Sequence, residues 1–93
     1  MMEITFDKVK DKENIKNRNL SFTEAIHFDF ETALIWHDTR MQYPELRMVA
    51  IGWIAKRLHV LCFCETQNGI RIISFRKANP REVKRYESQI TQN

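Results

Sequence analysis

The stretch "RIISFRKANPREVKRYE", Arg71–Glu87, carries Arg71, Arg76, Lys77, Arg81, Lys84 and Arg85, with Glu82 the one acid as far as Arg85. Guanidinium and ammonium groups gathered in this way attract phosphate. Arg76 and Lys77 stand just before a helix start marked by Asn79 and Pro80. They are therefore expected beside backbone N–H groups that also favour anions. The strand-to-helix junction is the best anion site the sequence offers. A plainer reading is open as well, in which Arg71 pairs with Glu65 across a hairpin and Arg76 is solvated.

Standard catalytic signatures are missing. There is no Gly-rich phosphate loop, no H-E-x-x-H and no nucleophile elbow. His27, His37 and His59 are scattered, and His37–Asp38 are strand neighbours that point apart. His27 reads as a partly buried structural histidine with no acid paired to it at helical spacing. Cys62 and Cys64, two apart on one strand, read as core residues, and no metal ligand set or cofactor is expected. An enzyme built from these residues would work by positioning and electrostatics, through Arg, Lys, Tyr and Glu.

The elements that must hold these groups are legible. "EITF" (Glu3–Phe6) reads as a strand. Asp7 caps a helix over Lys8–Arg18 that is rich in lysine, with Val9 and Ile15 as its core contacts. Ser21 and Glu24 form a capping box with Leu20 as its staple, opening a short second helix through Phe22, Ala25 and Ile26. Four strands follow: Ala33–Asp38, Arg47–Ile54, Leu58–Glu65 and Ile70–Ala78. The tight turns "AKR" and "TQNG" imply antiparallel pairing. Asn79, Pro80 and Glu82 open a last helix with Val83, Tyr86 and Ile90 on one face. The order β-α-α-β-β-β-β-α predicts an α+β fold, a small antiparallel sheet with two N-terminal helices and one C-terminal helix. Alternation along the last strand sends Ile70, Ile72, Ser74 and Arg76 to one face and Arg71, Ile73 and Phe75 to the other.

The chain has 93 residues, suited to one domain over 1–93, and 43% hydrophobic content, enough for a core. The net charge of +3 is mild, but it is unevenly spread. Ser21–Leu46 holds Glu24, Asp29, Glu31, Asp38 and Glu45 against Arg40 alone, which predicts a basic face opposite a neutral or acidic one. A solvated surface with a slight excess of lysine explains the same charges equally. The start "MMEITFDKVK" has no apolar signal region and no stretch is long enough to span a membrane, so a cytoplasmic protein is expected. The cysteine usage agrees with a reducing compartment.

Three blocks in order resemble the BrnT family of toxins: "FDKVKDKENIKNRNLSFTEA", "DTRMQYPELR" and "RIISFRKANPREVKRYE". They cover nearly the whole chain. The resemblance implies a RelE-like fold and a type II toxin that cleaves RNA and inhibits translation. It also implies a BrnA-like ribbon-helix-helix antitoxin, a hetero-tetramer with that partner, and contact with operator DNA only through it. Carried over by residue, Lys10, Asn14, Ser21 and Glu24 match the first block. Asp38, Arg40, Tyr43, Glu45 and Arg47 match the second; Arg71, Arg76, Glu82, Tyr86 and Glu87 match the third. The family's Lys-His-Gly is Asn17–Arg18–Asn19 here, and its small residue after Ser74 is Phe75.

For a metal-independent ribonuclease the expected catalytic set is Arg76, Glu45, Arg40, Arg47, Tyr43 and Tyr86. Lys10, Asn14, Lys16, Arg18, Arg71 and Lys77 are the expected RNA-binding set. Two of these stay open: Glu45 is a base or a salt-link partner of Arg47 or Arg40, and Tyr86 is a site residue or core. The alternative function is a non-catalytic module, a degenerate toxin that binds protein or nucleic acid.

Overall fold

A computed structural model describes residues 2–90. The elements are β1 (Glu3–Phe6), α1 (Lys8–Arg18), a 3-10 helix (Phe22–His27), β2 (Leu34–His37), β3 (Arg47–Ile54), β4 (Arg57–Glu65), β5 (Gly69–Lys77) and α2 (Pro80–Ile90). The class is α+β, and all five strands join one sheet in the order β1-β5-β4-β3-β2. The expected antiparallel sheet needs correction at one edge. Strands β2 to β5 form an antiparallel meander, but β1 lies parallel to β5, with Glu3 opposite Gly69 and Phe6 opposite Ile72. The sheet is therefore mixed. A parallel neighbour needs a crossover, and here the whole intervening chain supplies it. Gly69 permits the close approach, since a Cβ there would sit 1.9 Å from the Glu3 carbonyl oxygen.

Each face of the sheet carries its own core. On one, Leu61, Phe63, Ile70, Ile72 and Phe75 pack under Phe22, Ala25 and Phe28. On the other, Val49, Ile51, Leu58, Val60 and Cys62 meet Tyr86 and Ala78, with Val83 half-buried beside them. The helix α2 covers only part of this second face. Cys62 and Cys64 are both buried there and free.

The last strand does not alternate as expected. Between Cys62 and Phe63 of β4 the register shifts, so Cys62 faces Ser74 while Phe63 faces Ile72. Ile73 is the extra residue of a β-bulge. Alternation resumes one step out of phase after it. Phe75 therefore joins Ile70 and Ile72 in the first core. Arg71, opposite Cys64, and Arg76, opposite Val60, share the second face with Ser74.

The N-terminal helices also differ from expectation. No residue of α1 is buried, and Val9 and Ile15 are 65% and 43% exposed. Polar contacts fasten this helix instead. Asn14 Nδ2 donates to the Leu20 and Phe75 carbonyls, both at 2.9 Å. Asp11 Oδ1 accepts from the Phe22 N–H at 2.7 Å and from the Ser21 hydroxyl, and Asp7 caps the start as expected. The next segment is a 3-10 helix, with Phe22 and Ala25 buried and Ile26 exposed. Ser21 caps it, but the expected capping box does not form: Ser21 Oγ accepts from the Thr23 N–H, and the Glu24 N–H donates to the Ser21 carbonyl instead. His27 is exposed rather than partly buried, and Glu24 one turn earlier lies 3.9 Å from it.

Asn14→Ala should therefore loosen α1 without touching either core. Two carbonyls lose their donor, a cost of about 1–3 kcal/mol. Urea melts should show that loss, together with faster amide exchange confined to residues 8–18.

Candidate phosphate-binding face

The part of the second face left open by α2 is bounded by the loop between β2 and β3, by β5 and by α1. The bulge decides what lies there. Three hollows meet around Ile73–Arg76. The first, about 340 Å³, is lined by Lys10, Asn14, Asn17 and Arg18 of α1 with Ser74 and Arg76. The second, about 420 Å³, holds Trp36, Asp38, Arg40, Ser74, Arg76 and Arg85. The third, about 500 Å³, holds Lys10, Glu45, Arg47, Cys64 and Arg71. Shared residues join them: Ser74 and Arg76 link the first and second, Lys10 and Ile73 the first and third.

The β2–β3 loop is organised by Asp38. Its carboxylate accepts from Arg40 Nε and Nη2, both at 2.8 Å, from the Arg40 backbone N–H at 3.2 Å, and from the Tyr43 hydroxyl at 3.2 Å. The Asp38 side chain is 1% exposed and that of Arg40 is 76% exposed. The carboxylate is thus an internal anchor, and the guanidinium shows its outer edge to solvent. Hydrogen bonds from Arg40 hold the Asp38 carboxyl far below the usual carboxylate range. Beside it, Arg47 lies over the Tyr43 ring, 4.1 Å from its centroid. Arg47 Nε donates to Glu45 Oε1 at 2.8 Å, and the Cys64 thiol donates to the same oxygen at 3.6 Å. Glu45 is therefore in a salt link with Arg47, and that hydrogen bond lowers its pKa.

Arg76 is held in the same style. Its Nη1 and Nη2 donate to the two oxygens of Glu82, each at 2.7 Å. Glu82 Oε1 also accepts from the Asn79 N–H, and Asn79 Oδ1 accepts from the Glu82 N–H, a complete capping box. The expected anion cradle at the start of α2 is thus already filled by the protein's own carboxylate. Arg76 remains 34% exposed on its other side. Hydrogen bonding to Arg76 lowers the Glu82 pKa, so the pair stays ionic through neutral pH.

Not every expected residue reaches this face. Tyr86 is 5% exposed, edge-on to Trp53, with its hydroxyl donating to the Thr32 carbonyl at 2.8 Å. It is packed in the second core and lines none of the three hollows. Lys16 and Lys77 line none of the three hollows, and Lys77 pairs opposite His59 on the strand. The Asn14 amide is committed to backbone carbonyls although it lines the first hollow. The Glu65–Arg71 pair of the plainer reading does not form, because the register sets Glu65 opposite Ile70. Arg71 instead has no ion pair among the described residues and faces the third hollow. His59 is buried against Phe75 with Nδ1 on the Arg57 carbonyl, and burial lowers its pKa.

The structure adds Arg85, Trp36 and Ser74, which sequence reasoning did not assign to a site. Arg85 lies over the Trp36 ring at 4.0 Å from the centroid. One signal was available: Arg85 is one helical turn beyond Glu82, the cap that anchors Arg76. The arrangement can bind an extended polyanion over three joined hollows. It presents cations whose carboxylate partners fix their orientation while leaving edges open.

Asp38 has a folded pKa below its ordinary value of 3.8. Its contribution to stability is therefore complete above that value and is lost as pH falls through the depressed one. Urea midpoints followed from pH 5 to pH 2 should fall steeply below about pH 4. Asp38→Asn should lower the midpoint at pH 7 and flatten the acid limb.

The family model described as "Ribonuclease toxin, BrnT, of type II toxin-antitoxin system" matches residues 6–82. No curated protein matches the chain.

Proposed function

From the premise that this chain belongs to the BrnT family of ribonuclease toxins of type II toxin–antitoxin systems, we propose that it cleaves RNA on the open face of its sheet and thereby inhibits translation. Its neutralising partner in this reading is a BrnA-like ribbon-helix-helix antitoxin, in a hetero-tetramer that meets operator DNA through the antitoxin. The fold is read as RelE-like and the site of action as the cytoplasm. One observation carries the assignment of the face. The bulge at Ile73 gathers Arg71 and Arg76 with Arg40 and Arg47 around joined hollows that α2 leaves uncovered.

The chemistry follows from the positions. Cleavage needs the 2′-OH aligned with the phosphorus, charge stabilised on the phosphorane, and a proton for the departing 5′-oxygen. Arg76 and Arg40 share the second hollow and supply the charge, each preoriented by its carboxylate so that little reorganisation accompanies the reaction. Lys10, Arg18 and Arg71 carry the flanking backbone. Glu45, with Arg47 and Tyr43, takes the proton from the 2′-OH, and solvent water in the open hollow gives the proton to the departing 5′-oxygen. The lowered pKa of Glu45 makes it a weak base that stays ionised well into acid. Asn17 and Arg18, standing where the family has Lys-His, line the first hollow next to Arg76 and act as backbone contacts.

One observation favours a second reading. Asp38, Glu45 and Glu82 are all bound to a guanidinium, and no histidine stands at position 18. A non-catalytic toxin that only binds its antitoxin or RNA has no need of a free base. The two readings part at the product, because a binder protects RNA and a nuclease leaves shortened chains with defined ends.

Expression of the chain alone in a bacterial host, with growth and total RNA followed together, tests the reading. RNA loss and growth arrest are expected, and Arg76→Ala should reduce cleavage by roughly 10²–10³-fold. Unchanged cleavage in that variant would remove Arg76 from the site. Intact RNA with normal growth would select the binding module. Purified protein should cleave at a constant rate from pH 7 to pH 5, since a carboxylate with a lowered pKa does not titrate there. A fall near pH 6.5 would assign the base to a histidine instead.

A further inference from the structure

The second hollow contains a wall that the cleavage chemistry leaves unused. There the Arg85 guanidinium from α2 lies over the Trp36 ring from β2, its carbon 4.0 Å from the ring centroid. Val49 and Val60 form an apolar floor, and Arg40 and Arg76 stand in the same hollow. The volume of about 420 Å³ lies in the range of small-ligand sites. A flat π group joined to a phosphate matches this order: the phosphate meets the two arginines and the flat group meets the stacked guanidinium. Arginine planes and aromatic rings are common platforms for unstacked bases.

The carboxylates of the hollow are already engaged. Asp38 holds Arg40 and Tyr43, and Glu82 holds Arg76 and the Asn79 N–H. Among the described residues no buried side-chain N or O atom lacks a partner. With its carboxylate acceptors committed, what the Trp36–Arg85 wall offers a ligand is a flat face to stack on.

We propose that this hollow is a nucleobase subsite, in which Arg85 backed by Trp36 stacks on the base adjoining the phosphate held by Arg40 and Arg76. Selection there follows stacking strength, so purines are preferred over pyrimidines. The inference rests on the RNA-cleaving reading and names a recognition element for it.

The chain has two tryptophans, and Trp53 lies outside this hollow, edge-on to Tyr86. Trp53→Phe therefore makes Trp36 a single reporter. In that background, fluorescein-labelled 2′-O-methyl oligomers of adenine or uracil, which resist cleavage, are titrated while anisotropy and Trp36 emission are read together. Adenine oligomers are expected to quench Trp36 and to bind about tenfold more tightly than uracil oligomers. Arg85→Ala, at an exposed position, should keep the fold by circular dichroism and remove most of that preference. Equal affinities, or binding seen by anisotropy with unchanged Trp36 emission, would overturn the subsite and leave the cleavage reading standing. No anisotropy response to either oligomer would overturn both.

Discussion

Between Cys62 and Phe63, β4 offers no partner for Ile73 of β5, and the chain accommodates the extra residue by shifting its phase. That shift reconciles two demands on one short strand. Phe75 must enter the core with Ile70 and Ile72, while Arg76 must reach the opposite face with Arg71. A regular strand would have sent Phe75 outward or Arg76 inward, and either would strand a side chain in the wrong medium. The Asn14 amide donates to the carbonyl of Phe75 itself, so the helix that walls the first hollow is tied to the residue next to the displaced register. Geometry at the bulge and placement of the cationic helix are one arrangement.

Electrostatics on this face follow a single pattern. Arg40, Arg47 and Arg76 are each matched by a carboxylate from Asp38, Glu45 and Glu82. A guanidinium so paired keeps its direction without a rotamer search, and its remaining donors point outward. Among the described residues Arg71 has no such partner, and Lys10 stands on an exposed helix. The face thus combines fixed cations with looser ones. In the RNA-cleaving reading proposed above, the fixed ones suit developing charge on a phosphorane and the looser ones a backbone that varies in shape. Glu82 serves twice, capping α2 and orienting Arg76, which couples the helix start to the site.

The sequence disclosed what short-range physics controls. Strands bounded by tight turns, the Asp7 cap and the Asn79–Glu82 capping box all stand where their signals lie. It did not disclose the bulge, because Ile73 has ordinary strand chemistry and no glycine marks it. Parity counting therefore parted Arg71 from Arg76. Periodicity also misled at α1, where Val9 and Ile15 offered an apolar stripe, yet the helix is fastened by Asn14 and Asp11 through hydrogen bonds that leave no hydrophobic trace. Tyr86 shared a helix face with Val83, and its burial was one of two readings that only the packing against Trp53 could decide. The parallel placement of β1 depends on partners near the other end of the chain, beyond any local signal.

That long-range pairing carries a consequence in time. Glu3–Phe6 can join the sheet only beside Gly69–Ile72, and α1 can be latched only when the carbonyl of Phe75 exists. At roughly 5–20 residues per second of synthesis, the first strand waits on the order of 3–15 seconds for its partner. During that interval Lys10, Arg18, Arg40 and Arg47 are present but not assembled with β5. A nascent chain therefore lacks this face by topology, since each of the three hollows takes part of its lining from Arg71–Arg76 and none can form before that strand is made.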